Sequence, residues 1–339
     1  MKRYYPLLFL LIVFFVSCSK DKSTKPITPV TPVTPKNPTL SSVDYVDSLL
    51  FVGKNNYQIK TSEAAASFTS TDPHLKMSST GLITRLTSSE IAPIVITWKD
   101  ASKPKTTIYA LGATTINQDM PFALFQGDTA SNAYASYLQG WKTLQKLPVA
   151  GETYAIVLRH ADASYGRDFS TTHNYAGPAN WWKSSDSLLA RQLNAQGINR
   201  ATVLGQVFKD LNYPVKRIIT SEFYRSRQTA SLMNLGITPV IDSRVNHPSY
   251  NLYAPGLYKG MLAILAEQPI DNQMTLIIAH HPINELLTVT GYPSFPDVSP
   301  FNWTGAYLIK IGSDGSITYE GAASWAMFKY WHDLKLNKL

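Results

Sequence analysis

Two histidines and two arginines stand at the ends of apolar runs. Tyr154-Ala155-Ile156-Val157-Leu158 leads into Arg159-His160, Thr275-Leu276-Ile277-Ile278-Ala279 into His280-His281, and Arg217-Ile218-Ile219-Thr220-Ser221 towards Arg225. A neutral imidazole is a nucleophile and proton carrier near pH 7, and a guanidinium forks onto anionic oxygens. Short continuous apolar runs bounded by polar residues read as buried parallel strands. In open α/β sheets, ligands collect at the carboxyl ends of such strands. The pattern therefore predicts that four side chains converge on one cationic point suited to a phosphate. Singly, each has a plainer reading. A strand-end Arg-His is a surface pair or a capped turn, Arg225 and Arg227 are helix-surface charges, and His280-His281 are metal ligands or a satisfied core pair.

The elements that must carry these residues follow from the rest of the chain. Residues 188–211 repeat apolar side chains at helical spacing through Leu193, Ala201, Leu204, Val207, Phe208 and Leu211, with Gly197 as a turn into the main helix and Asn199 as its cap. Residues 257–266 read as a second helix, 307–311 and 316–319 as an edge hairpin around Gly-Ser-Asp-Gly, and 324–339 as an aromatic closing helix. Strands alternating with helices predict a three-layer α/β sandwich with a mostly parallel sheet over 115–339. Residues 40–114 are Ser- and Thr-rich with short alternating stretches, which predicts a small all-β sandwich. The segments Ser48-Leu49-Leu50-Phe51-Val52-Gly53 and Ser78-Ser79-Thr80-Gly81-Leu82-Ile83 resemble bacterial Ig-like domains, which implies a spacer role.

The first 17 residues lie outside the fold. Lys2 and Arg3 precede an apolar run from Leu7 to Val16, too short to span a bilayer and suited to a signal peptide. Cys18 is the sole cysteine, so no internal disulfide forms. Val16-Ser17-Cys18 is similar to the lipobox of bacterial lipoproteins, which implies lipidation at Cys18 and anchorage in the cell envelope. An incidental cysteine in a secreted protein is the alternative. Residues 18–39 carry a Thr-Pro-Val rhythm and read as an extended stalk. The formal charge is +8, and loss of Lys2 and Arg3 leaves about +6. The basic residues are scattered and no nucleic-acid motif is present, so a nucleic-acid partner is not expected. A basic surface attracts anionic substrates.

Four elements, in order, resemble the histidine phosphatase superfamily that includes phosphoglycerate mutases. Arg159-His160-Ala161 resembles its Arg-His-Gly opening. Leu193-Asn194-Ala195-Gln196-Gly197 with Ala201 resembles its Leu-Thr-x-x-Gly helix start. Ser221 to Ala230 resembles its Ser-Pro-x-x-Arg-Ala-x-Gln-Thr-Ala segment, and Ala279-His280 its late Ser-His or Gly-His. The resemblance implies a phosphohydrolase acting on a small phosphate ester or a phosphorylated envelope component, with His160 forming a phosphohistidine. Arg159, Arg225 and His280 would grip the phosphoryl group, with His281 beside them as a further binding residue, and neither metal nor cofactor is implied. The sequence departs from the family where a general-acid glutamate would follow Asp-x-Arg-Leu. Asp242-Ser243-Arg244-Val245-Asn246-His247 puts His247 there. Two roles stay open for His247, general acid or packing and substrate binding, and Asp162 and Glu285 are further candidates for the acid. The missing glutamate keeps a second expectation alive: a degenerate, non-catalytic binder of phosphorylated or anionic ligands. Residues 161–186 form a polar insertion that either covers the site or packs its tryptophans, Trp181 and Trp182, against the body.

Overall fold

The computed structural model describes residues 38–42, 45–46, 48–52, 56–73, 75–86, 92–112, 132–169, 177–248, 256–281, 295, 298 and 303–338. The expected signal peptide, Cys18, most of the stalk and Glu285 lie outside them. Among the described residues no helix is long and apolar enough to cross a membrane.

Eight strands make up the amino-terminal part: β1 (Tyr45–Val46), β2 (Leu49–Val52), β3 (Tyr57–Gln58), β4 (Ala65–Thr69), β5 (Leu75–Met77), β6 (Leu82–Leu86), β7 (Ala92–Trp98) and β8 (Thr106–Gly112). They form two sheets, β1-β2-β8-β7-β4 and β3-β6-β5, with β2 and β8 parallel and the other pairs antiparallel. Strand β7 alternates buried and half-buried residues along its length, as expected of a sheet packed on one face. Strand β2 is different, because all four of its residues are buried. Leu50 and Val52 enter the core between the two sheets, with Ile94, Ile96 and Ile108. Leu49, Phe51 and Leu111 point the other way, into the large core of the carboxyl-terminal part.

That part is built on a six-stranded sheet of β9 (Thr153–Arg159), β10 (Val215–Thr220), β11 (Val240–Ile241), β12 (Met274–Ala279), β13 (Ala306–Ile311) and β14 (Ile317–Ala323), in the order β11-β10-β12-β9-β13-β14. The four strands from β11 to β9 are parallel, and β13 and β14 are antiparallel additions. Every residue of β12, and all of β9 except Arg159, is buried. A strand buried on alternate residues in both directions needs cover on both faces of its sheet. The helices are α1 (Asn132–Leu144), α2 (Ala195–Asp210), α3 (Tyr224–Met233), α4 (Leu257–Ala266) and α5 (Trp325–Lys335). The structure moves one expected cap. Helix α2 starts after Asn194 and not at Asn199, and the Asn194 side chain accepts a hydrogen bond from Gly197 N at 2.8 Å. Gly197 sits in the first turn because a Cβ there would stand 2.1 Å from the Asp162 carbonyl oxygen.

Residues 38–339 form one compact unit. The two parts meet where Tyr330 of α5 packs on Tyr109 of β8, with ring centroids 5.2 Å apart, and on Trp141 of α1 at 5.5 Å. The Tyr330 and Ser48 hydroxyls are hydrogen-bonded across the same contact. Helix α1 lies on edge strand β14 at backbone distance. A Cβ on Gly140 would be 1.8 Å from the Ala322 carbonyl oxygen, and one on Gly321 2.2 Å from Gly140 N.

Candidate active site

Parallel pairing in register aligns the carboxyl ends of β9, β12 and β10: Arg159 faces Ala279, and Ile278 faces Thr220. The residues just beyond these ends are His160, His280 and Ser221, all buried. Helix α3 then begins at Tyr224 and turns Arg225 back into the same space, where it is 1 % exposed. The expected convergence of His160, Arg225 and His280 is therefore present in the fold, with Arg159 at the end of the central strand.

His160 is held in a defined tautomer. The Arg225 Nε–H donates to His160 Nε2 at 3.1 Å, so that nitrogen accepts and the ring proton is on Nδ1, which donates to the Ala161 carbonyl at 2.7 Å. Burial, then the positive charges of Arg225 and Arg159, hold the His160 pKa well below the ordinary histidine value. The imidazole is neutral at pH 7 and has its Nε2 lone pair turned towards the guanidinium. Thr229, one turn beyond Arg225, fixes the loop after the histidine. Its hydroxyl accepts from Ala161 N at 3.0 Å and donates to the Arg225 carbonyl at 2.8 Å.

His280 packs edge-on against His160, with ring centroids 5.1 Å apart, and against Phe223 at 4.8 Å. Its Nε2 is 2.8 Å from Ser221 Oγ, and its buried Nδ1 has no hydrogen-bond partner among the described residues. His247 completes a row of three imidazoles, 5.3 Å from His280. Burial and then Arg225 and Arg191 push the His247 pKa down to about 3, so this ring too is uncharged at neutral pH. His281 follows His280 and is half-buried.

The cation cluster is larger than the sequence indicated. Arg159 lies over the Trp303 ring, 5.0 Å from its centroid. Burial and the neighbouring guanidiniums of Arg191 and Arg225 push its pKa down to about 9. Arg191 comes from the segment before α2, and Asp168 from the insertion after β9. Asp168 accepts from Arg191 Nε at 2.8 Å and from Arg225 Nη1 at 3.1 Å. Burial alone would raise the Asp168 pKa, but the two arginines hold it below the carboxylate range. Neither Arg191 nor Asp168 carried a signal in the sequence, because both sit in irregular chain with no periodic pattern.

Asp162 lies two residues after His160, in the buried turn that leads to Asn194. Burial raises its pKa against the opposing pull of hydrogen bonds from Asn194 and Ser164 and of Arg159, and its Oδ1 has no hydrogen-bond partner among the described residues. The insertion's tryptophans are packed. Trp181 is buried between Phe169 and Phe223, with centroids at 5.7 and 5.9 Å, and Trp182 Nε1 donates to Glu222 at 3.1 Å. Lys183 pairs with the same carboxylate at 2.6 Å. Among the described residues no group of three or more His, Cys, Asp or Glu side chains is placed to hold a metal ion. A neutral, oriented imidazole among three guanidiniums can receive an anionic electrophile and attack it.

No family model matches the chain, and no curated protein matches it. Among solved structures it is similar to the protein histidine phosphatase SixA complexed with tungstate, at 17% identity over 51% of this chain and 97% of that one, with a TM-score of 0.35. It is similar to the putative phosphohistidine phosphatase SixA from Agrobacterium tumefaciens at 20% identity, over 51% of this chain and 99% of that one, with a TM-score of 0.34. It is also similar to a mycobacterial glucosyl-3-phosphoglycerate phosphatase complexed with VO3 at 13% identity, over 50% of this chain and 99% of that one, again with a TM-score of 0.34. Each of these structures covers about half of the present chain.

Proposed function

We propose that the protein is a phosphohydrolase of the histidine phosphatase type. The observation that carries this reading is the His160 tautomer, with Nδ1–H held by the Ala161 carbonyl and Nε2 presented as a lone pair to Arg225. In the proposed reaction the Arg225 N–H passes from Nε2 to the incoming phosphoryl group, and the freed Nε2 lone pair attacks the phosphorus of a phosphate monoester, so that a P–N bond forms as the ester P–O bond breaks. Arg159 and Arg225 fork onto the equatorial oxygens and neutralise their charge, and His280, with Nε2 held by Ser221, meets the phosphoryl group through Nδ1. The leaving oxygen takes a proton from a nearby acid. Water then attacks the phosphohistidine, releases phosphate and restores His160. Of the two described candidates for the acid, Asp162 is favoured over His247. Burial raises its pKa, the direction a proton donor needs, whereas His247 is driven uncharged.

The substrate class is a small phosphate ester or a phosphorylated envelope component, and the setting is the bacterial envelope, with the chain anchored through a lipid on Cys18. The sequence pattern at 1–39 supports that placement. The competing reading is a binding protein that holds an anion without turnover. Assay of the protein and of His160→Ala on an aryl phosphate separates the two. Turnover that vanishes in the variant is the expected result. Absence of turnover in the wild type, with inorganic phosphate still bound, refutes catalysis.

A further inference from the structure

A cavity of about 460 Å³ lies between α3, the loop 234–239 and the ends of β10 and β11. Two residues along an α-helix rotate the side chain by about 200°. Arg225 and Arg227 therefore leave α3 on opposite sides, Arg225 towards His160 and Arg227 into the lining of this cavity. Leu235, Ile237, Pro239 and Ile241 supply apolar wall. Thr220 also lines the cavity; it is fully buried, and its hydroxyl has no hydrogen-bond partner among the described residues. Arg227 is pinned in place. One Nη donates to the Lys183 carbonyl, and the guanidinium lies 5.5 Å from the centroid of the Tyr224 ring. Its Nε is buried without a hydrogen-bond partner, and no carboxylate pairs with it among the described residues.

Arg227 is half-buried, so its guanidinium is open to an anion that enters the cavity, and a guanidinium forks readily onto carboxylate oxygens. A cavity of this size, with apolar walls and a few fixed polar groups, has the make-up of a small-molecule site. We propose that it binds a small anion with an apolar body, such as an aryl or branched-chain carboxylate. The anionic oxygens accept from the outer guanidinium nitrogens of Arg227, and the body packs on Leu235, Ile237, Pro239 and Ile241. The site stands apart from the cradle around His160 and does not depend on phosphatase activity.

The test uses the full chain and 1-naphthoate as the probe, followed by titration calorimetry. Saturable binding of one probe per chain is expected. Arg227→Met is expected to weaken it about tenfold or more, the loss of one charge-assisted hydrogen bond. 1-Naphthalenemethanol, with the same rings and no charge, should bind weaker by a similar factor. Ser231→Trp, a substitution at the exposed rim, should block the cavity and keeps the test decisive should Arg227→Met fail to fold. His160→Ala should bind like the wild type, and saturating inorganic phosphate should leave the affinity unchanged. Absence of saturable binding overturns the proposal. So does displacement by phosphate, or wild-type affinity in both Arg227→Met and Ser231→Trp.

Discussion

Phe51→Ala probes how tightly the amino-terminal sheets are bound to the rest of the fold. Phe51 is fully buried, and its ring lies in the core that also holds Trp141, Tyr330 and the strands of the six-stranded sheet. Removing a buried phenylalanine ring costs roughly 3–5 kcal/mol, the lost transfer energy plus the cavity left behind. The whole fold is stable by only about 5–15 kcal/mol, so this loss is a large fraction of the total. For a unit of this size it corresponds to a fall of about 5–15 °C in melting temperature. Because the same ring supports both parts, the expected result is one calorimetric transition that shifts as a whole. Amide protons of β9, far along the chain in sequence, should lose exchange protection in step. Two separate transitions, with the shift confined to the lower one and β9 protection intact, would show that the sheets fold as an independent bead and that the shared core is energetically idle.

Four further outcomes follow from the site. Asp162→Asn should slow hydrolysis of alkyl phosphates far more than of p-nitrophenyl phosphate, by about 10²–10⁴-fold on the poor leaving groups, the usual contribution of general acid catalysis; equal losses on both would remove Asp162 from that role. Arg225→Lys keeps the charge but cannot hold Asp168 and fork onto two phosphoryl oxygens at once, so kcat/KM should fall by about 10²–10⁴ from the loss of about two charge-assisted hydrogen bonds to the phosphoryl group, and a loss under tenfold would contradict the fork. His160 and His280 have folded-state pKa values depressed well below the ordinary 6.5. Their contribution to stability is therefore complete above pH 6.5 and is lost as pH falls below it, because the unfolded chain takes up protons that the folded one refuses. At pH 5.5 the two together should cost up to about 3 kcal/mol, read as a lower urea midpoint, and an unchanged midpoint between pH 7.5 and 5.5 would refute the assignment of neutral, buried rings. Asn194→Ala removes the cap of α2 and the contact to Ser164, and should cost about 1 kcal/mol in denaturant unfolding; no measurable loss would make the cap ornamental.

Much of the site was legible because it is anchored on continuous apolar runs. The runs ending at Leu158 and Ala279 are buried on both faces, and the last three residues of the run ending at Thr220 are buried too, so their composition marks them as inner strands, and the polar residues that follow mark the edge where the candidate site lies. Arg191 and Asp168 leave no such mark in the sequence, for the opposite reason. They reach the cradle from irregular segments, where neither a period of two nor one of 3.6 restricts which way a side chain points. Asn199 was expected as the cap of α2 because Gly197 looks like a breaker. Its true constraint is the approach of the Asp162 carbonyl, a tertiary contact that local propensity cannot express. The double burial of β2 did leave a trace. Leu49-Leu50-Phe51-Val52 has no polar alternation, unlike the half-buried pattern of β7, and such a run in a small sandwich signals that a second surface covers the sheet.

The glycine pair Gly140 and Gly321 lets helix α1 and strand β14 touch through their backbones, with no side chain between them to act as a cushion. Strand β14 is bonded to β13, and β13 to β9, whose last residue adjoins His160. At its other face α1 offers Trp141 to Tyr330, which grips the first sheets. Mechanically, this is a strut. A pull on the amino-terminal sheets is carried as a rigid load through helix, edge strand and ladder, so His160 moves with those sheets and does not swing behind them.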